Sequence, residues 1–104
     1  MIDAVKRAMD TYVEYISGQE GVIQIYLFGS HAHGIPDERS DIDLMVIVDD
    51  SQNPGKMAVR ISKGLANRDV HLDILVNKKT AFYAAANEPT IQNTIKNTGV
   101  LLYG

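Results

Sequence analysis

The sequence predicts a layered α/β fold, because three apolar, β-branched runs alternate with stretches whose apolar residues recur at helical spacing. Each strand-like run also divides by alternation into an aliphatic face and a face carrying polar or acidic side chains. The first helix is expected over residues 3–17, where Val5, Met9, Tyr12, Val13 and Ile16 share one side and Gly18 supplies a stop. Residues 22–28, Val22-Ile23-Gln24-Ile25-Tyr26-Leu27-Phe28, form the first strand and deliver the chain into Gly29. A short helical turn over 30–34 leads to a polar loop over 35–40 that contains Pro36. The second strand covers 42–48, and Asn53-Pro54-Gly55 marks a turn within 49–55. Met57, Ala58, Ile61 and Leu65 predict a helix over 56–67, despite Gly64. The third strand is read at 70–76 and a further helical stretch at 80–86. Asn87-Glu88-Pro89 resembles a helix start, leading through Ile91 and Ile95 to Gly99, and residues 100–103 form a short edge strand. No repeat or flexible linker interrupts the order, and 104 residues fit one domain over 1–104.

Composition narrows the function. A hydrophobic fraction of 45% and a charged fraction of 22% belong to the globular class, and no run approaches the roughly 20 apolar residues of a membrane span. The N-terminal charges interleave with apolar residues as in an amphipathic helix, not a secretory signal, so a cytoplasmic location is expected. The absence of cysteine removes disulfides, thiolate catalysis and cysteine-ligated zinc, leaving oxygen ligands. With a net charge of −3 and scattered basic residues, the chain lacks the basic footprint that extended nucleic acid requires. A small nucleotide bound through a metal needs no such footprint.

The acids are placed by strand periodicity. Asp41 and Asp43 lie two apart, about 6.6–6.8 Å along a strand and on one face, while Ile42, Leu44, Val46 and Val48 point to the other. In the third run Val70, Leu72, Ile74 and Val76 are the aliphatic set, which leaves His71, Asp73 and Leu75 opposite. In the first, Ile23, Ile25 and Leu27 are the aliphatic set and Gln24, Tyr26 and Phe28 join the acids' side. Three carboxylates brought together would repel one another unless a divalent cation lay among them, and Mg²⁺ or Mn²⁺ suits oxygen ligands completed by phosphate. Gly29 permits close backbone approach, Ser30 offers a hydroxyl and an amide to phosphate, and Gly34 lets the loop close. His31 and His33 lack a third nitrogen ligand at suitable spacing and read as surface or phosphate-contacting residues. His71 reads as lining the acids' face. Met45, Ile47, Leu75, Tyr26 and Phe28 share that face, either packed beneath a covering segment or forming an apolar floor or docking surface. Lys56, Arg60 and Lys63 read as a solvated helix side.

Gly29-Ser30, Asp41-Ile42-Asp43 and the distant Asp73 together resemble the minimal (MNT-type) nucleotidyltransferases of the DNA polymerase β superfamily, and Asn97-Thr98-Gly99-Val100-Leu101-Leu102-Tyr103 is similar to the end of such domains. The resemblance implies a palm-like nucleotidyltransferase fold, a small mixed sheet with helices mainly on one face. It implies that Asp41, Asp43 and Asp73 are both catalytic and metal-binding, Asp41 and Asp43 holding two ions when nucleotide is bound and Asp73 assisting deprotonation of the acceptor. It makes Gly29, Ser30, His33, Gly34 and Ser40 the nucleotide-binding set. Small members carry a basic residue just before the second glycine, where this chain has His33, so a weaker and pH-dependent grip on triphosphate is expected. The implied activity is transfer of a nucleoside monophosphate, AMP from ATP, to a hydroxyl of a separate acceptor. Minimal members pair, antitoxin-like, with a helical HEPN protein in toxin–antitoxin modules, which makes a protein acceptor the expectation. A site shared across a homo-oligomer and a catalytically silent binding module are the other readings.

Overall fold

In the computed structural model, residues 3–33, 41–66 and 70–104 are described. The chain runs α1 (Asp3–Ser17), β1 (Val22–Phe28), α2 (Ser30–His33), β2 (Ile42–Val48), α3 (Pro54–Gly64), β3 (Leu72–Lys78), α4 (Lys79–Ala85), α5 (Ile91–Thr98) and β4 (Val100–Tyr103). The predicted loop over 35–40 and the predicted end of the third helix at residue 67 fall outside the described residues. No helix among the described residues is long and apolar enough to cross a membrane.

Four strands form one mixed sheet in the order β3-β2-β1-β4. β1 is antiparallel to both β2 and β4, whereas β2 and β3 are parallel and are joined through α3, as parallel neighbours require. One face carries Ile25, Leu27, Ile42, Leu44, Val46, Val48 and Leu72 against Val5, Met9, Tyr12 and Ile16 of α1 and Met57 and Ile61 of α3. The alternation of β2 and β3 is therefore obeyed. At the start of β1 it is not: the register shifts between Val22 and Gln24, so Val22 enters the core and Ile23, assigned to the aliphatic face by strict alternation, is only partly buried.

The opposite face is covered at its far end. Met45 and Ile47 are fully buried against Phe82 of α4 and Ile95 of α5, with Tyr26, Phe28 and Tyr83 packed around them. Burying Phe82 contributes about 1.5–3 kcal/mol of transfer free energy towards holding a seven-residue helix that would not persist by itself. Of the two readings of these apolar residues, packing holds for Met45 and Ile47, while Leu75 stays 41% exposed.

Polar clasps among the described residues also tie the segments flanking the strands to the helices. The Tyr12 hydroxyl donates to the Val70 carbonyl at 2.6 Å and accepts from the Val70 amide at 3.3 Å, anchoring the chain just before β3. The residue before α4 is Lys78, which has no acceptor to cap a helix, and Asp50 does so from a distance. Its carboxylate accepts from the Thr80 amide at 3.0 Å and from the Thr80 hydroxyl, and these bonds hold the Asp50 carboxyl below its ordinary pKa. A group with a lowered folded-state pKa stabilises above its unfolded value and loses that effect as pH falls through the folded one. Asp50→Ala is thus expected to lower the melting temperature at neutral pH, with the gap to the parent closing in acid; thermal denaturation across pH checks this.

Candidate active site

The predicted acids gather at one end of the sheet, where β1 ends and β2 and β3 begin. In the parallel ladder Asp43 is the register partner of Asp73, and across the antiparallel ladder Asp43 faces Phe28, the residue before Gly29. Asp41 immediately precedes β2, and the Ile42 amide donates to the His71 carbonyl at 2.9 Å, which keeps the two entering segments side by side. The convergence inferred from alternation is therefore present in the fold.

Gly29 occupies the turn from β1 into α2 with a φ of +77°, which glycine adopts without penalty. A Cβ built there would lie 2.2 Å from Oδ2 of Asp43, so the missing side chain is also what makes room for the carboxylate. The Ala32 amide closes the turn on the Gly29 carbonyl at 3.1 Å, leaving Ser30 exposed beside it. His31, read from the sequence as a surface or phosphate-contacting residue, is buried at 7% exposure, because α2 folds back beside the sheet. His33 ends α2, while Gly34 and Ser40 lie outside the described residues. Lys56, Arg60 and Lys63 are exposed on α3, as a solvated side requires.

His71 belongs to the cluster. Its Nε2 lies 3.4 Å from Oδ1 of Asp73 and 3.9 Å from Oδ2 of Asp41, and a donor atom from each of the three lies within 4.8 Å of the others. The clue in the sequence was its position two residues before Asp73 on the same face, but only the β2–β3 register brings it to Asp41. Asp43 sits deeper. Burial raises its pKa above the ordinary carboxylate value, and the negative charges of Asp73 and Asp41 raise it further against opposing contributions from His31 and His71.

A divalent cation fits this donor set. Oxygen and imidazole donors converge among the described residues, and the charge repulsion acting on Asp43 is what a cation would relieve. The acids would hold such an ion, with Asp41 and Asp73 open to solvent at 43% and 58% side-chain exposure.

A mixed four-stranded sheet with helices on it and acids at one end defines the nucleotidyltransferase class of fold. The chain belongs to the family described as polymerase beta, nucleotidyltransferase, whose model matches residues 11–104. Members of this family use divalent metal ions. No curated protein sequence matches the chain. Among solved structures, a protein of Sulfolobus solfataricus assigned as a nucleotidyltransferase is similar at a TM-score of 0.61 and 19% identity, over 97% of this chain and 86% of that one. A toxin–antitoxin structure with AMP-PNP is similar at a TM-score of 0.53 and 18% identity, over 99% of this chain and 74% of that one. A mutant MntA–HpeT toxin–antitoxin structure gives a TM-score of 0.51 and 17% identity over the same shares, 99% and 74%. At these identities the likeness is one of fold.

Proposed function

We propose that the chain is a metal-dependent nucleotidyltransferase, a single domain over 1–104 that moves AMP from ATP to a hydroxyl on a separate acceptor, a HEPN-type partner protein. The observation that carries this reading is the register pairing of Asp43 with Asp73 beside the Gly29 turn, with Asp41 at the same sheet end. Ser30, exposed at that turn, contacts the triphosphate, and Gly29, His33, Gly34 and Ser40 complete the nucleotide contact. Asp41, Asp43 and Asp73 would hold two Mg²⁺ or Mn²⁺ ions, whose contribution would be to neutralise the carboxylates and supply Lewis-acid polarisation of phosphate and hydroxyl oxygens. The acceptor oxygen attacks the α-phosphorus in line; a new P–O bond forms, the bond to the bridging oxygen breaks, and pyrophosphate departs. Asp73 takes the hydroxyl proton, a role supported by its exposure of 58% on the edge strand, where a bulky acceptor can reach it. The similarly folded toxin–antitoxin structures, one with the adenine nucleotide analogue AMP-PNP, support a protein acceptor and an adenine nucleotide.

Incubation with α-labelled ATP, Mg²⁺ and the product of the adjacent gene tests this. Label is expected on the partner, and Asp41→Asn is expected to abolish it without preventing partner binding. Tight partner binding with no label transferred by the parent protein would overturn the enzyme reading in favour of a binding module.

A further inference from the structure

The cluster nearest solvent is not made of oxygen alone. His71 Nε2 lies between Asp41 and Asp73, at 3.9 Å and 3.4 Å from their carboxylate oxygens, and its side chain is 60% exposed. From this we infer that His71 is a metal ligand, so that Asp41, His71 and Asp73 form a mixed nitrogen and oxygen site that selects a borderline transition-metal ion over Mg²⁺. The inference rests on the same site as the proposed transfer but concerns which ion the site takes.

Magnesium prefers oxygen ligands and sheds water reluctantly, so an imidazole contributes little to its binding. Imidazole suits Co²⁺, Ni²⁺ and Zn²⁺, whose affinity for nitrogen-containing sites exceeds that of the alkaline-earth ions. Exchanging a water or oxygen for His71 therefore raises affinity unequally across metals. The backbone supports the placement: the bond from the Ile42 amide to the His71 carbonyl fixes the segment bearing His71 against the one bearing Asp41. The pairing of Ile42 with Leu72 at the head of the ladder places Asp41 and His71 as the residues that immediately precede it. All three donors lie within 4.8 Å of one another, a spacing that small rotations of exposed side chains would tighten around one ion. His71 thereby becomes a residue that sets metal specificity, a role unlike that of Asp43, which is deeper and pairs directly with Asp73.

The test is equilibrium titration of the metal-free protein with Co²⁺ and with Mg²⁺, without nucleotide or partner. The parent is expected to show a high Co²⁺-to-Mg²⁺ affinity ratio and a cobalt absorption spectrum carrying a nitrogen-ligand signature. His71→Ala should lower Co²⁺ affinity about tenfold or more and Mg²⁺ affinity far less, because it deletes a direct ligand to one ion only. His71→Asp, which substitutes an oxygen donor, should retain Mg²⁺ binding while losing the cobalt preference. Binding of Zn²⁺ should shift the His71 imidazole resonances in the nuclear magnetic resonance spectrum. An unchanged Co²⁺-to-Mg²⁺ ratio in His71→Ala, or His71 resonances unmoved by Zn²⁺, would overturn the inference while leaving nucleotidyl transfer standing. Failure of label transfer with the ratio still dependent on His71 would do the reverse.

Discussion

Gly29→Ala is expected to lower both stability and activity. The backbone at residue 29 is left-handed, where a side chain costs roughly 1–3 kcal/mol. For a domain of this size each kcal/mol corresponds to about 4–8 °C in melting temperature. The new methyl would also fall 2.2 Å from the Asp43 carboxylate, a distance no pair of such atoms tolerates, so either the turn or the acid must move. A displacement of about 1 Å at a reacting centre costs on the order of a hundredfold in rate, so nucleotidyl transfer should fall further than the loss of stability explains. Thermal denaturation and label transfer, measured on the same preparation at a temperature where the variant is folded, separate the two effects. A folded variant with undiminished transfer would refute the coupling between the turn and Asp43.

Asp43→Asn should move stability and activity in opposite directions. Burial and the charges of Asp73 and Asp41 raise the Asp43 pKa, so the ionised carboxylate is held at a cost to the folded protein. The folded state binds this proton more tightly than the unfolded state does. The cost is therefore absent below the ordinary carboxylate pKa, grows as pH rises towards the elevated value, and is complete above it. The neutral isostere escapes it, so in a chelator the variant should melt above the parent at neutral pH, the difference vanishing in acid. With divalent ions present the order should narrow or reverse, since the parent gains more from the cation. Transfer should fall about a thousandfold, equivalent to roughly 4 kcal/mol of lost transition-state stabilisation. Melting curves with and without Mg²⁺, set beside single-turnover label transfer, check all three statements; a variant less stable than the parent without metal would remove the electrostatic account.

The parts legible in the sequence are those whose cause is local. β1 and β2 lie at 22–28 and 42–48 because their β-branched, apolar composition and flanking turn residues specify them, even though strict alternation fails at the start of β1. β3 slips from the expected 70–76 to Leu72–Lys78, because pairing begins with Ile42 and Leu72 and is carried by the ladder to Asn77 and Lys78, whose polarity gave no strand signal. α3 begins earlier than residue 56, at Pro54, since the Asn53 side chain accepts from the Lys56 amide at 3.0 Å and proline suits the first turn. α5 starts at Ile91 instead of near Pro89 because the Thr90 hydroxyl, accepting from the Asn93 amide at 3.2 Å, provides the cap. In the site, the convergence of Asp41, Asp43 and Asp73 follows from side-chain parity. The burial of His31 and the bridging position of His71 depend on how separate elements meet, which one strand's pattern does not encode.

The parallel ladder between β2 and β3 has a consequence for how reliably this protein can assemble its acids. Asp43 meets a residue 30 positions later in the chain, and a one-residue slip would bring Leu72 or Ile74 opposite it and turn Asp73 to the wrong side. The same slip would expel Leu72, Ile74 and Val76 from beneath α1 and α3. The aliphatic side chains thus act as a combination lock for charges on the opposite face: a misregistered chain forfeits its core before it can present a faulty site.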